Sequence, residues 1–327
     1  MISGIKKRLR GKFGSKLNFD TTFKGKKVFI TGHTGFKGSW LSFWLSEMGA
    51  VFTGYSLEDT IPDKSLFASL SIKERINNNF FGDIRNDNVL KEQIKKTKPD
   101  FVFHLAAQSL VRLSYCSPSE TYSTNVNGTI NLLEAVRDLD HPCVVIIVTS
   151  DKCYENFDDG RVFRETDPLG GHDPYSSSKA CAEIVVSSWR RSFLSTSGVM
   201  LASVRAGNVI GGGDWARDRI VPDVILSLNQ GKPIEVRNPN SVRPWQHVLD
   251  PLNGYLQLAH MIHQKTSVNF DDARTLCDAF NFGPEQSSNQ TVEILVNEIL
   301  QIWNGEWIDK SFESAPHEAA MLKLDIS

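Results

Sequence analysis

Cysteine is scarce and scattered. Only Cys116, Cys143, Cys153, Cys181 and Cys277 occur in 327 residues, and no two stand at CxxC spacing. That excludes a zinc ribbon or a redox dithiol and suits a reducing cytoplasm. No apolar run approaches the ~20 residues that span a bilayer. Neither charge sign is in excess: 36 Lys plus Arg face 38 Asp plus Glu, a net of −2. A nucleic-acid binder would carry a concentrated positive surface, so that class is set aside. Repeats and low-complexity tracts are missing. No secretory signal is visible, because the basic start (Lys6, Lys7, Arg8, Arg10, Lys12) is followed by no apolar core. Residues 1–22 read as a solvated basic arm, with contact to an anionic membrane as the rarer alternative.

What is present is an alternation of strands and helices. Hydrophobic residues make up 40% of the chain, enough for a substantial core at this length. Lys27–Thr31, Val51–Tyr55, Phe101–Ala107, Val144–Val148 and Leu201–Ala206 read as buried strands. Between them, Ser39–Met48, Asn86–Thr97, Thr121–Leu139 and Tyr175–Phe193 carry helical spacing. This rhythm predicts an α/β fold: a doubly wound parallel sheet, Rossmann-like, over residues 23–206. From Gly207 the rhythm loosens among Gly211, Gly212, Gly213 and five prolines, so 207–327 reads mainly as a smaller C-terminal substrate lobe. A strand near 280 is expected to return to the sheet. Leu322–Ser327 ends without a capped element, as if a last helix were truncated.

Gly32, Gly35 and Gly38 form G-x-x-G-x-x-G between a strand and a helix. Glycine there permits a tight turn and close backbone approach to a pyrophosphate, which the helix N-terminus favours. The strand before and the helix after satisfy the context that a lone glycine pattern lacks. His33 and Lys37 are bulky for such a turn. Lys37 could pair with phosphate, and His33 is expected to hinder it and weaken cofactor retention. The second strand ends at Ser56-Leu57 with Glu58 and Asp59 beyond, and no arginine beside it awaits a 2′-phosphate, which tilts the cofactor towards NAD. Asp83 and Ile84 stand where a third strand would meet the adenine, or in a plain loop.

Tyr175 and Lys179 are four apart and share a helix face. A lysine there is expected to lower the tyrosine pKa, making Tyr175 a base for a sugar hydroxyl. Ser150, Asp151 and Lys152 follow the most β-like run, at a strand end where ligands of such sheets bind. Ser150 can hydrogen-bond the reacting hydroxyl. Asp151 can protonate a leaving hydroxyl, and Lys152 can act as a base if a closed site depresses its pKa. Alone, Asp151 and Lys152 would read as a solvated surface pair; beside Tyr175 and Lys179 they point to dehydration. Arg219 and Arg243 are candidates for a diphosphate, since guanidinium pairs with phosphate through two hydrogen bonds. Asn208, His247, Gln108 and Arg112 are further substrate candidates. His104 reads as a core histidine. Trp215 and Trp245 read as packing or as stacking on a base. No metal site is indicated.

The stretches GHTGFKGSW (32–40), GYSL (54–57), HLAAQSLVRLSY (104–115), TNVNGT (124–129), TSDKCYEN (149–156), DPYSSSKACAE (173–183), RAGNVIGGGDWARDRIVPD (205–223), RPWQHVL (243–249), FNFGP (280–284) and PHEAAMLKLD (316–325) resemble the extended short-chain dehydrogenase/reductase superfamily. Within it the resemblance is to the CDP-glucose 4,6-dehydratase family, where Lys152 replaces the glutamate of related dTDP-glucose and GDP-mannose dehydratases. The resemblance implies NAD held by Gly32, His33, Thr34, Gly35, Phe36, Lys37, Gly38, Ser56, Asp83, Ile84, Ala106, Ala107, Gln108, Asn125, Tyr175 and Lys179. It implies CDP-glucose as substrate, its conversion to a 4-keto-6-deoxy sugar by internal hydride transfer, and a cytoplasmic homodimer with a four-helix contact built from the Thr121 and Tyr175 helices. A 4-epimerase or reductase needing only Tyr175 and Lys179, and a non-catalytic NAD-sensing binding protein, remain the rival readings.

Overall fold

The computed structural model describes residues 21–58, 65–216, 218–311 and 318–327. The basic arm up to residue 20 and Asp59 lie outside them. Seven parallel strands form the central sheet: β1 (Lys27–Thr31), β2 (Val51–Ser56), β3 (Asn78–Phe81), β4 (Phe101–His104), β5 (Cys143–Val148), β6 (Val199–Ala206) and β7 (Ala279–Phe282). Their order is β7-β6-β5-β4-β1-β2-β3, so the chain winds outward twice from β1. Every residue of β5 and β6 is buried. Central strands covered on both faces need no polar alternation, which is why these runs read as continuous apolar segments.

Helices cover both faces. On one side α1 (Phe36–Glu47) brings Leu41 and Leu45, and α6 (Leu249–Thr266) brings Leu252, Tyr255, Leu256 and Leu258, all inaccessible. Each such leucine contributes about 1.5–3 kcal/mol. On the other side lie α2 (Asp87–Thr97), α3 (Gly128–Arg137) and α4 (Pro174–Ser192), with Leu90, Ile94, Leu132, Leu133 and Val186 buried. The span 207–327 therefore does not all stand apart, since α6 and β7 belong to the sheet layers. Its remainder has a small core of its own, Val224 and Leu228 of α5 (Ile220–Asn229) against Ile234, Val236 and Val296 of α7 (Val292–Ile302).

Local chemistry sets the ends. Asn86 caps α2 by accepting from Val89 N at 3.3 Å, and Lys98 closes it at φ 47° just before Pro99. Asp173 caps α4 from Ser176 N at 2.9 Å, with Pro174 in its first turn.

Two expected elements differ. The strand from Phe101 stops at His104 instead of Ala107, because Ala106 N donates to the side-chain Oγ1 of Thr31 (3.2 Å) and Gln108 N to Asn125 Oδ1 (2.8 Å) rather than to the main chain of a neighbouring strand. The helix expected over Thr121–Leu139 is interrupted by a π-helical turn, Ser123–Asn127, between Pro118–Tyr122 and α3. Such turns are frequent at functional sites, and Asn125 is the buried residue of this one.

Residues 318–327 run back along the molecule. Phe163 N donates to Lys323 O and Asp325 N to Phe163 O, each at 2.8 Å, while Val242 N donates to Ala320 O at 2.9 Å. This terminal strap joins the loop after β5 to the small lobe. No helix among the described residues is long and apolar enough to cross a membrane.

Candidate active site

The glycine turn is shaped by what a Cβ would strike. Gly32 has φ +74°, and a Cβ there would lie 2.7 Å from Ala106 N; one on Gly38 would lie 2.0 Å from Gly32 O. The main chain of β1, the turn and the Ala106-Ala107 segment thus close on one another. Gly35 leads into α1 with no side-chain cap and no acid in the first turn, so the helix offers its positive end to an anion. Thr34 and Ser56 face each other, hydroxyl to hydroxyl, at 2.9 Å. Lys37 is held down to about 8, first by burial and then by Arg219; Asp151 opposes the shift. This uncapped cradle fits a dinucleotide pyrophosphate, with Phe36 and Lys37 at its rim.

His33 does not obstruct the turn, contrary to expectation. Its ring is inaccessible and lies where a Cβ on Gly54 would meet it at 2.4 Å. Nε2 pairs with Asn79 Oδ1 at 2.7 Å, and Phe67 packs edge-on against the ring. Because β2 carries a glycine opposite it, the side chain tucks behind the turn, and burial lowers its pKa to about 4.

At the far end of the cradle, Arg85 Nε binds the Asp83 carboxylate at 2.8 and 2.9 Å, and Asp83 O accepts from Tyr55 Oη at 3.0 Å. The Asp83 side chain is engaged within the loop. Ile84 is buried against Gly128, where a Cβ would lie 2.7 Å from it.

Catalytic candidates converge at the end of β5. Ser150 Oγ donates to Asp151 Oδ1 at 3.1 Å and accepts from Lys152 N at 3.2 Å. Asp151 is 2% exposed, and its Oδ2 has no hydrogen-bond partner among the described residues. Burial pushes its pKa up, against the pull of Lys152 and Ser150. Burial pushes Lys152 down, with Arg243 adding to the fall and Glu318 and Asp151 opposing it. The two neighbours are thus driven towards neutral acid and neutral amine. Gly207 leaves room here, since a Cβ would lie 2.8 Å from Asp151 Oδ2.

Tyr175 and Lys179 stand on α4 across from this turn. Ser178 Oγ donates to Tyr175 O (2.7 Å) and accepts from Asn125 Nδ2 (2.8 Å), which ties the π-turn to the catalytic helix. Lys179 Nζ donates to Val148 O at 3.4 Å. Its pKa is lowered to about 8 by burial, with Glu183 and Cys153 opposing. The expectation that the lysine lowers the Tyr175 pKa is corrected: burial raises that phenol to about 12, and the hydrogen bond with Ser150 only moderates it. The cation that pulls against burial is Arg219, and it too is outweighed.

The substrate candidates divide. Arg243 is 5% exposed, bonds through Nη1 to Val242 O (2.9 Å) and Ala320 O (3.2 Å), and faces Asp151 electrostatically. Arg219 pairs with Asp214 at 2.7 Å and influences both Tyr175 and Lys37. These two are gathered at the centre. Gln108 is not: its amide donates to Thr121 Oγ1 (2.9 Å) and Leu110 O (3.1 Å) and accepts from Leu110 N (2.6 Å), so it is spent on its own turn. Arg112 pairs with Asp218 at 3.5 Å. Asn208 and His247 are exposed, with His247 Nδ1 accepting from Leu249 N at 3.3 Å. Trp245 packs into the lobe and donates to Gln290 O at 3.1 Å; Trp215 is 37% exposed. His104 is a core group, bonded to Thr31 Oγ1 at 2.7 Å.

Sequence reading missed a charged network behind α4. Glu183 accepts from Thr149 Oγ1, from Ser203 Oγ at 2.9 Å and from Arg205 Nη2 at 2.8 Å. Arg205 Nη1 donates to Tyr154 Oη at 2.8 Å, which donates to Asn281 Oδ1 at 2.6 Å. The only sequence signal is Glu183 four residues past Lys179, on the same helical stripe. No group of acids, histidines and cysteines able to hold a metal occurs among the described residues.

Comparison with known proteins places this geometry. The pattern described as GDP-mannose 4,6 dehydratase matches residues 29–290. A CDP-glucose 4,6-dehydratase of Salmonella typhimurium is 48% identical over 313 residues, covering 93% of this chain and 84% of that protein. Among solved structures, a dTDP-glucose 4,6-dehydratase of Streptomyces venezuelae with NAD and TYD bound superposes with a TM-score of 0.76 at 22% identity, over 91% of this chain and 88% of that one. A UDP-glucose 4-epimerase of Thermotoga maritima with UDP-glucose gives 0.72 at 20% identity, over 91% and 89%. Dehydratase and epimerase share this fold, so the backbone alone does not choose between them. The extent of the match along the sequence does: this chain belongs to the GDP-mannose 4,6 dehydratase family.

Proposed function

We propose that the protein is a sugar-nucleotide dehydratase that converts CDP-D-glucose to CDP-4-keto-6-deoxy-D-glucose and water. The observation that carries this reading is the opposed tuning of Asp151 and Lys152 at one strand end, where burial moves the acid's pKa up and the amine's down. An epimerase or reductase has use for Tyr175 and Lys179 but not for this pair. The 48% identical relative that bears the name CDP-glucose 4,6-dehydratase supports the choice of nucleotide.

NAD would lie over Gly32, Thr34, Gly35, Phe36, Lys37 and Gly38, with Ser56, Ile84, Ala106, Ala107 and Asn125 lining its further course. When bound it supplies a hydride acceptor, later a hydride donor, and a positive ring that favours the Tyr175 phenolate. Tyr175 takes the proton of the sugar 4-hydroxyl, steadied by Ser150, while Lys179 keeps a positive charge beneath the phenol. The resulting 4-ketone acidifies the C5 hydrogen. Lys152 removes that proton, and Asp151 delivers its own to the departing 6-hydroxyl, so water leaves. Lys152 then returns a proton to C5. Arg219 and Arg243 hold the diphosphate, as bidentate donors do.

Residues 23–206 form the cofactor domain in this reading, and the small lobe of 207–327 binds sugar and nucleotide. The protein works in the cytoplasm as a homodimer through the segments 121–137 and 175–193, whose Tyr122, Ile184 and Phe193 are 37%, 55% and 45% exposed. Light scattering tests the dimer. The decisive experiment incubates pure protein and NAD with CDP-, dTDP- and GDP-sugars and follows the ultraviolet absorbance of a 4-keto sugar in base. Formation with CDP-glucose, with label from C4 carried to C6, is the expected result. A 4-epimer or an absence of keto sugar overturns it.

A further inference from the structure

We propose that Glu183 is a positioning residue for Lys179, its carboxylate fixing both where the lysine lies against β5 and the charge it carries there. The inference deepens the proposed reaction and rests on that reading for its consequence in turnover.

The geometry comes first. Glu183 is one helical turn beyond Lys179 on α4. Thr149, which donates to Glu183, directly follows Val148, whose carbonyl receives the lysine. Two adjacent residues of one strand end are therefore bound by two residues of one helix stripe. That clamp sets the gap between β5 and α4, across which Ser150 and Tyr175 must meet. Ser203 and Arg205 hold the carboxylate from β6, and Tyr154 and Asn281 extend the chain to β7.

The charge argument follows from burial. The side chains of Glu183 and Arg205 are 2% and 4% exposed. Such an ion pair seldom stabilises a fold more than apolar packing would. Here it has a local effect. Arg205 holds Glu183 ionised despite burial, and the carboxylate, one turn along α4 from Lys179, favours the lysine's charged form. The groups facing Lys179 from other elements give little counter-charge: the Cys153 thiol and the His104 ring are both kept neutral by burial, and Lys37 of α1 is a cation. Tyr175, one turn earlier, is a neutral phenol in its resting form. Arg190 is the further cation that feels Glu183. Glu183 thus opposes the loss of the ammonium proton that burial promotes.

The test reads Lys179 directly. Competitive acetylation followed by mass spectrometry gives the protonation midpoint of this lysine without substrate, expected at about 8 in the native protein. In Glu183→Gln the midpoint falls by about 1–3 units, the range for losing an adjacent opposite charge. The alkaline limb of NAD reduction by CDP-glucose moves down with it, KM is unchanged, and Glu183→Asp restores much of both. Glu183→Gln leaves Arg205 buried without a counter-ion, so Glu183→Gln/Arg205→Met, which removes both charges, is measured beside it. An unchanged Lys179 midpoint in a folded variant overturns the inference. A lowered midpoint in a protein that turns over no nucleotide sugar upholds it and overturns the dehydratase reading instead.

Discussion

Behind α4, both oxygens of the buried Glu183 carboxylate have donors, and Arg205 has two acceptors besides. In front of the same helix, Asp151 is equally buried, yet its Oδ2 has no partner among the described residues. A buried polar atom left without a partner costs about 1–3 kcal/mol. The open Asp151 oxygen lies where a substrate hydroxyl is to arrive, whereas the Glu183 carboxylate is fully met and the open donor of its network is Arg205 Nε. One stripe of α4 therefore borders two regions, a carboxylate with both oxygens engaged at Glu183 and a reactive acid near Tyr175, and proton transfer belongs to the second.

Four experiments strain this contrast. The largest effect is expected in front. Lys152→Ala should cut keto-sugar formation about a hundred- to ten-thousand-fold, the usual range for a lost general base, while CDP-glucose still reduces bound NAD. Loss of both activities together would place Lys152 in binding rather than proton transfer. Behind the helix, Arg205→Ala should cost about 3–5 kcal/mol in thermal unfolding, because Glu183 would remain buried and unpaired. A stability change confined to tenths would mean that water reaches the network.

Acid sharpens the contrast from outside both regions. The folded pKa of His33 is depressed to about 4 from an ordinary 6.5. The unfolded chain therefore binds the proton first. Stability contributed by the neutral ring is intact above 6.5, and it drains as pH falls towards 4, by about 3 kcal/mol in all. Urea unfolding at a series of pH values reads this slope, which should flatten in His33→Asn. The smallest effect is expected at the lobe. Trp245→Phe removes the bond to Gln290 and should cost about 1 kcal/mol without altering nucleotide affinity by titration calorimetry.

Much of this was legible beforehand for a physical reason. β1 and β5 are unbroken apolar runs because both faces of the sheet are covered. Tyr175 and Lys179 need only helical spacing to share a face. Three other features were not legible. The fate of His33 depends on Gly54, twenty-one positions away, whose missing side chain makes room for the ring. Gln108 looked like a ligand because it follows a strand, but its amide is taken up by Leu110 and Thr121 and its main chain by Asn125 of the π-turn. The Glu183 network draws on the segment after β5 (Thr149 and Tyr154), α4, β6 and β7, four separate stretches whose meeting is a property of the sheet order. Local chemistry is written locally; a side chain's allegiance is settled by the partner across the gap.

The terminal strap has a consequence of its own. Asp158 Oδ1 receives the main-chain N–H groups of Ala320 and Met321 at 2.8 and 3.1 Å, Asn156 donates to Met321 O at 2.8 Å, and Arg243 leans on Ala320 O. These are grips on peptide units, indifferent to what Ala320 and Met321 bear beyond Cα. Mutational scanning of this stretch should therefore meet broad tolerance to replacement at those two sites. A single inserted or deleted residue would slide every peptide one place along and misalign Arg243 with it.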